Sequence, residues 1–479
     1  SNQRIFDIDG TAAPFLTVAE DYRLKATNHE LRLSGSAGNT FDWSGGVFYY
    51  KEETSGQTVQ PVQNFYWGLD AGEDHLHQLI TDVEGRQTGI NIGASFDSLQ
   101  QTTESIAVYF NASLEVMDDL NLSAGIRWTE DDKSQSALFP QTVFVGGGAN
   151  YTSTPSFPSM GVPAGATILS DCVGAGGADC TPSYTEDTYS EVTPEITLDY
   201  HVDDELMVYG SYKKGFQAGT IFSAASKIPG AGTSTDSQLV DAFEVGFKGT
   251  FFDDTLMLNG AAFYYDYDGL LVAVNTPVPI EISATGFAGV PQNAGGANTV
   301  GMELDSEYRV SEDFIIRANI AYTNLDVNEV NSVDPESGEV INIADQYMDT
   351  YSLTPEFQGS LTFEYFNDMQ SGTLRLFTTI AYRDEIGTNA ANANETSGIG
   401  LVLDSEANRK YYISDSLTSV TAGVTFKTND DKWRIDLVGN NLTDERRPVA
   451  TVFSVPGLLG SGTLYNAPRT IELTATFNF

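Results

Sequence analysis

Four histidines and two cysteines are the first residues to weigh for chemistry in this 479-residue chain. His75 and His77 stand two apart in "DHLHQL". On an extended segment that spacing puts both imidazoles on one side, where they could ligate a metal or haem iron. Solvated loop histidines are the plainer alternative. Just upstream, "NFYWGLDAGED" carries Tyr66 and Trp67, whose flat apolar faces and polar tips suit a saccharide or a neutral ferric chelate. Cys172 and Cys180 lie in one Gly-rich stretch, "SDCVGAGGADCTPS". A lone close pair there suits a small disulfide in an oxidising compartment. A metal pair is the alternative, but no histidine lies near to complete the four ligands zinc usually takes. No nucleophile, base and orienting group can be assembled around the remaining histidines, His29 and His201. The expectation is a protein without catalysis, cofactor or resident metal.

The charge balance narrows the partners. The chain has 66 acidic residues against 24 basic ones, a net charge of −42, which argues against nucleic acid and leaves no basic patch for anionic lipid. The acidic run "TEDD" (Thr129 to Asp132) could hold Ca²⁺ bridging to lipopolysaccharide, or be a solvated run. Few Lys or Arg fall in the long polar segments, which ill suits strongly anionic ferric catecholates. No run of 18 apolar residues exists, so no transmembrane helix is expected, but a transmembrane β-barrel hides its apolar band in alternation. No signal peptide stands at Ser1.

The elements that would position these residues are strands. In the closing "TIELTATFNF", Ile471, Leu473, Ala475, Phe477 and Phe479 alternate with Thr470, Glu472, Thr474, Thr476 and Asn478. "IAVYFNASLEVMDDLNLSAGIRW" reads as a hairpin with one apolar and one polar face around Asp118-Asp119. Similar units turn at Asp203-Asp204, Asp253-Asp254, Glu312-Asp313, near 367–372 and near 429–431, with an earlier one from His29 to Tyr50. Between them lie long polar stretches, roughly 52–102, 131–187, 217–237, 273–292, 327–347, 388–411 and 443–465. Short turn and long loop in strict succession is the pattern of a barrel across an outer membrane. The polar rows carry both signs at strand centres, among them Glu30, Arg32, Glu115, Arg127, Glu195, Asp199, Glu244, Lys248, Glu303, Asp305, Glu307, Arg309, Arg317, Glu364, Arg375, Arg434, Asp436 and Glu472. Charge there fits a water-filled lumen, because an Arg or Lys facing lipid costs about 2–4 kcal/mol. Tyr49, Tyr50, Tyr264 and Tyr265 read as interface girdle or wall. The fold expected is an all-β, transmembrane antiparallel β-barrel with about 15 strands visible and "RIFDI" as a sixteenth, a lumen too wide for side chains to fill.

Several of these stretches resemble the barrel of TonB-dependent outer-membrane receptors. "SYKKGFQAGT" (Ser211 to Thr220) is similar to that family's mid-barrel Gly-Phe-x-x-Gly segment. "FEVGFKGTFFDDTLMLNGAAFYYDYDGLLV" is similar to its Glu-x-Gly-x-Lys hairpin, "VGNNLTDERRP" to its Asn-Leu-x-Asp element, and "APRTIELTATFNF" to its closing strand. The resemblance implies a 22-stranded barrel closed by an N-terminal plug. Residues 1–479 would then be one partial barrel domain, with the plug and first strands upstream. It further implies TonB-energised uptake of a ferric siderophore or similar scarce nutrient, in the cell outer membrane of a Gram-negative bacterium. Partners would be the TonB complex through that upstream region, outer-membrane lipid and lipopolysaccharide, and the barrel assembly machinery, which would recognise Phe477 and Phe479. Glu244, Lys248, Glu303, Arg317 and Arg375 would face the plug or a water network; mutual pairing along the wall is the plainer alternative. A passive porin of about 16 strands and a non-transport surface receptor or adhesin are the competing readings.

Overall fold

The computed structural model describes residues 2–7, 17–63, 92–145, 183–222, 233–277, 287–333, 340–342, 344, 354–387, 413–453 and 461–479. Strands build the fold. In chain order they are β1 (Asn2–Asp7), β2 (Thr17–Ala37), β3 (Phe41–Gln63), β4 (Ile92–Met117), β5 (Leu120–Val145), β6 (Ser183–His201), β7 (Leu206–Gln217), β8 (Gln238–Phe251), β9 (Leu256–Pro277), β10 (Phe287–Ser311), β11 (Phe314–Val333), β12 (Val340–Asn342), β13 (Phe357–Met369), β14 (Gly372–Arg383), β15 (Ile386–Gly387), β16 (Ile413–Ser414), β17 (Leu417–Thr428), β18 (Trp433–Asn440), β19 (Pro448–Phe453), β20 (Ser461–Tyr465) and β21 (Thr470–Phe477).

The sheet is an antiparallel meander. β1 to β11 each pair with the next, then β11 with β13, β13 with β14, β14 with β17, β17 with β18, and β18 with β21. Fifteen long strands result, and β1 adds a short sixteenth against the upper end of β2. Among the described residues no pairing joins β21 to β1 or β2.

Register converts alternation into two faces. Val108 pairs with Trp128, Phe110 with Ile126 and Leu114 with Leu122 on one face; Tyr109 with Arg127, Ser113 with Ser123 and Glu115 with Asn121 on the other. The apolar face is the outer one: Val108, Phe110, Ile126, Val245, Met302 and Leu437 are all exposed. The polar face is concave, since Arg32 on β2 and Glu195 and Lys213 on β6 and β7 line a single cavity of ≈ 490 Å³. The tight turns all fall at one end, as the sequence predicts. Phe252, Asp253 and Asp254 take positive φ of 57°, 54° and 61° at the β8–β9 turn. Aspartate tolerates that region better than most side chains.

Outward aromatics mark two rims. Trp433 and Phe477 sit 4.7 Å apart at the turn end, with Phe479 5.7 Å from Phe477. Toward the other end Tyr212 meets Phe243 at 5.1 Å and Phe357 meets Tyr382 at 6.1 Å. Tyr49 and Tyr264 lie on this outer face, whereas Tyr50 and Tyr265, one residue on, lie on the polar face. The band between the rims accounts for less than half of the longest strands, for about 9–11 tilted residues cross a bilayer.

The remainder corrects the expected loops. Residues 52–63, 92–102, 131–145 and 183–187 continue as paired strand. Above the membrane both faces meet water, so alternation fades although the backbone ladder continues. "TEDD" therefore lies within β5, where Asp131 and Asp132 point to opposite faces and Asp132 accepts a 2.6 Å hydrogen bond from Thr188. The run is not one cluster, and no His, Cys, Asp and Glu group able to hold a metal ion occurs among the described residues.

Candidate functional site

The polar face carries two kinds of wall. Across β10, β11, β13 and β14 the charges pair with one another. Arg309 donates to Glu307 at 3.0 Å, and Arg317 donates to the other Glu307 oxygen at 2.9 Å. Arg317 also reaches Glu364, which accepts from Arg375 Nε at 3.1 Å. Asn319 donates to Asp305 in the same row. Glu364 is only 5% exposed, so two guanidinium groups hold the one buried carboxylate of the ladder. Arg375 also lies 4.7 Å from the Phe377 ring, and Arg434 closes the series on Asp436, which Thr425 supports at 2.7 Å.

The wall formed by β7 to β10 differs. Glycines recess its backbone and rings lie against them. A Cβ on Gly246 would sit 2.7 Å from the Tyr209 ring, and one on Gly301 would run into the Phe263 ring. Tyr209 donates to Glu244 at 2.7 Å. Phe263 stacks on Tyr265 at 4.7 Å and 21°, and Tyr265 meets Tyr267 edge-on at 6.5 Å. Lys248 lies 6.0 Å from the Tyr209 ring. Among the described residues, neither Lys248 nor Glu303 has an ion-pair partner. Glu244, Lys248, Glu303, Arg317 and Arg375 lie on the polar face, where the alternation puts them. It missed Tyr209, Phe263, Tyr265 and Tyr267 as one surface; the i, i+2, i+4 spacing of the last three was the available signal.

Above the band, the "GFQAGT" stretch becomes a loop base. Thr220 and Thr235 exchange hydrogen bonds, with Thr235 N–H donating to Thr220 O at 2.9 Å and Thr220 N–H to Thr235 Oγ1 at 2.9 Å. Ile221 is buried beneath, 1% exposed. Lys133 Nζ donates to Gly219 O at 2.7 Å and Ala218 O at 3.3 Å, and it lies 5.5 Å from the Tyr189 ring. Burial lowers the Lys133 ammonium below its usual range, and burial foremost, with Asp187 and Asp236, pushes the Tyr189 phenol up to about 12. A Cβ at Gly219 would run into Thr235 O and the Tyr189 ring, so the close approach requires glycine. "NNLTDERRP" builds a second clamp. Asn441, at φ 47°, donates to Glu445 O at 3.0 Å and Ala467 O at 2.9 Å, while Leu442 N–H reaches Val420 O at 2.8 Å.

Tyr66, Trp67, His75, His77, Cys172 and Cys180 lie outside the described residues.

A family model described as TonB dependent receptor-like, beta-barrel, matches residues 5–442. The fold is similar to that of the ferric yersiniabactin uptake receptor from Yersinia pestis, 13% identical with a TM-score of 0.65, over 100% of this chain and 57% of that one. It is similar also to a siderophore receptor from Acinetobacter baumannii, 15% identical with a TM-score of 0.61, over 96% of this chain and 56% of that one. A copper transporter aligns over 98% of this chain and 58% of its own, at 12% identity and a TM-score of 0.58. The chain thus spans little more than half the length of these proteins. No curated protein matches the sequence significantly.

Proposed function

We propose that this chain, which belongs to the TonB-dependent receptor β-barrel family, is the barrel of an outer-membrane active transporter that takes up a ferric siderophore or similar scarce nutrient. One observation carries the reading beyond family membership. The concave face is polar and charged while the outer face is an apolar band between aromatic rims, as a wet conduit through lipid requires. In this family a plug fills the lumen and the TonB complex supplies the force that opens it. Arg317 and Arg375, spent on Glu364, stiffen the wall. Lys248 and Glu303, which have no ion-pair partner among the described residues, are left to meet what occupies the lumen, and Glu244 meets it while held by Tyr209. Binding of Tyr66, Trp67, His75 or His77 to cargo, a Cys172–Cys180 disulfide, and recognition of Phe477 and Phe479 by the assembly machinery belong to the same proposal, as do lipid and lipopolysaccharide contacts in a Gram-negative outer membrane.

The test is growth rescue and uptake across candidate iron chelates and sugars, in a strain lacking this gene and in the same strain lacking TonB. Import through the protein should vanish without TonB. Import that persists there, with steady conductance of the purified protein in a planar bilayer, would establish the passive porin instead. Surface binding without any import would point to an adhesin or phage receptor.

A further inference from the structure

We infer that the outer face of β7 to β13 carries a binding site for one glycerophospholipid with an ammonium head group, its acyl chain in a hollow over Gly260 and Ala262 and its head beside Glu356 and Asp384. The inference goes beyond the import reading. It rests on the facing of the strands and not on any cargo.

The hollow supplies the first half of the argument. It has a volume of ≈ 850 Å³ and a lining that is nearly all apolar. The side chains around it share the lipid-facing side by register. Val208 pairs with Phe247, Phe247 with Gly260, Gly260 with Leu304, and Leu304 with Ile320. β9 is its low strand, because Gly260 and Ala262 stand where the neighbouring strands carry larger groups. Val245 and Met302 flank Ala262 and are 62% and 58% exposed. No water is present in the bilayer core to fill such a space. Left empty, it would forfeit the dispersion contacts of its lining, so hydrocarbon belongs there.

Its extent selects the hydrocarbon. Neighbouring strands lie about 4.8 Å apart, so the five steps from β7 to β13 cover about 24 Å. Val208 lies near the turn end of β7, and Phe357 opens β13 at the loop end. With strands tilted by about 40°, the hollow climbs about 15 Å toward the outer rim. That is one leaflet of a hydrocarbon core about 30 Å thick. A single acyl chain has this reach, whereas a transmembrane helix would need the whole thickness.

The upper end is polar. Tyr322 and Phe357 border the hollow there. Tyr322 donates to Glu356 at 3.0 Å, and Asp384 accepts from Tyr382 at 2.7 Å and from the Phe357 N–H at 3.1 Å. The two carboxylates are thus held in place, and among the described residues neither has an ion-pair partner. Fixed negative charge at the mouth, in a chain of net charge −42, favours an ammonium and repels a head that is only phosphate.

The probe is phosphatidylethanolamine. The whole protein, purified from its own outer membranes, is exchanged into nanodiscs of phosphatidylethanolamine mixed with phosphatidylglycerol or with lipopolysaccharide. Native mass spectrometry then counts the lipid that stays bound on release. One phosphatidylethanolamine per barrel should remain, several-fold over phosphatidylglycerol. Ala262→Trp fills the hollow and should cut this retention about tenfold. Val47→Trp, on the lipid-facing side of β3, should leave it unchanged. Glu356→Gln with Asp384→Asn leaves the hollow open and should erase the head-group preference, which keeps the inference testable where Ala262→Trp does not assemble. Equal retention of the two phospholipids by the unaltered protein, retention of lipopolysaccharide in their place, or undiminished retention in assembled Ala262→Trp overturns it. So does an equal loss in Val47→Trp, which would show an unspecific shell of lipid. No arm uses TonB or cargo, so a failure here leaves the import reading standing.

Discussion

Two stretches of one polar face, both reached by the same alternation, handle charge in opposite ways. From β10 to β14 each guanidinium of the ladder finds a carboxylate and the carboxylates find each other's partners. From β7 to β10 the backbone is recessed by glycine, rings pack against it and on each other, and among the described residues Lys248 and Glu303 have no ion-pair partner. A self-paired wall gains rigidity and offers a solute little, because its donors and acceptors are already engaged. A wall with open groups gains nothing in stability from them within this chain, which is a reason to ask what meets them in the lumen. Side-chain polarity alone does not separate the two; partner geometry does.

The largest expected effect tests the frame that both walls share. Arg at Val108 or Leu122 should cost about 2–4 kcal/mol in lipid and block assembly, while Ser123→Arg faces water and should be tolerated. The amount of folded, heat-modifiable barrel in outer membranes reads this directly. Equal yields for all three would remove the facing on which the comparison depends. Next in size, Glu364→Ala strands Arg375 and leaves Arg317 with Glu307 alone, and should lower stability by about 1–3 kcal/mol, seen as a fall in Tm. An unchanged Tm would mean that the ladder braces nothing. Gly301→Val should cost about 1–3 kcal/mol, since its side chain meets the Phe263 ring and drives it off the wall. A neutral result there would show that the ring is not held against Gly301. The smallest change should come from Glu303→Gln, within about 0.5 kcal/mol in thermal unfolding. A large loss of stability would move Glu303 from the open wall to the braced one.

Above the band a different economy applies. Lys133 is satisfied by two carbonyl oxygens and a ring, and Asn441 by two carbonyls of its own corner. These contacts tie segments far apart in sequence. They give structural content to "GFQAGT" and "NNLTDERRP", whose resemblance to family segments was visible without a reason for it.

The sequence by itself determined the strands within the membrane, their turns and their facing. Water and lipid sort side chains there at a period of two, and any slip would expose Arg317 or Glu364 to lipid. It also determined which charges share the polar face, and it carried the family resemblance that the comparisons bore out. Tertiary structure decided the rest. Strand lengths above the band follow from backbone pairing between Gln57 and Ser98 or Glu104 and Asp132, where no solvent boundary writes a pattern into the side chains. The loop bound at residue 131, beside "TEDD", falls too early for that reason. Which charges pair and which stay open depends on register across neighbouring strands, a relation between residues tens of positions apart that no single strand contains.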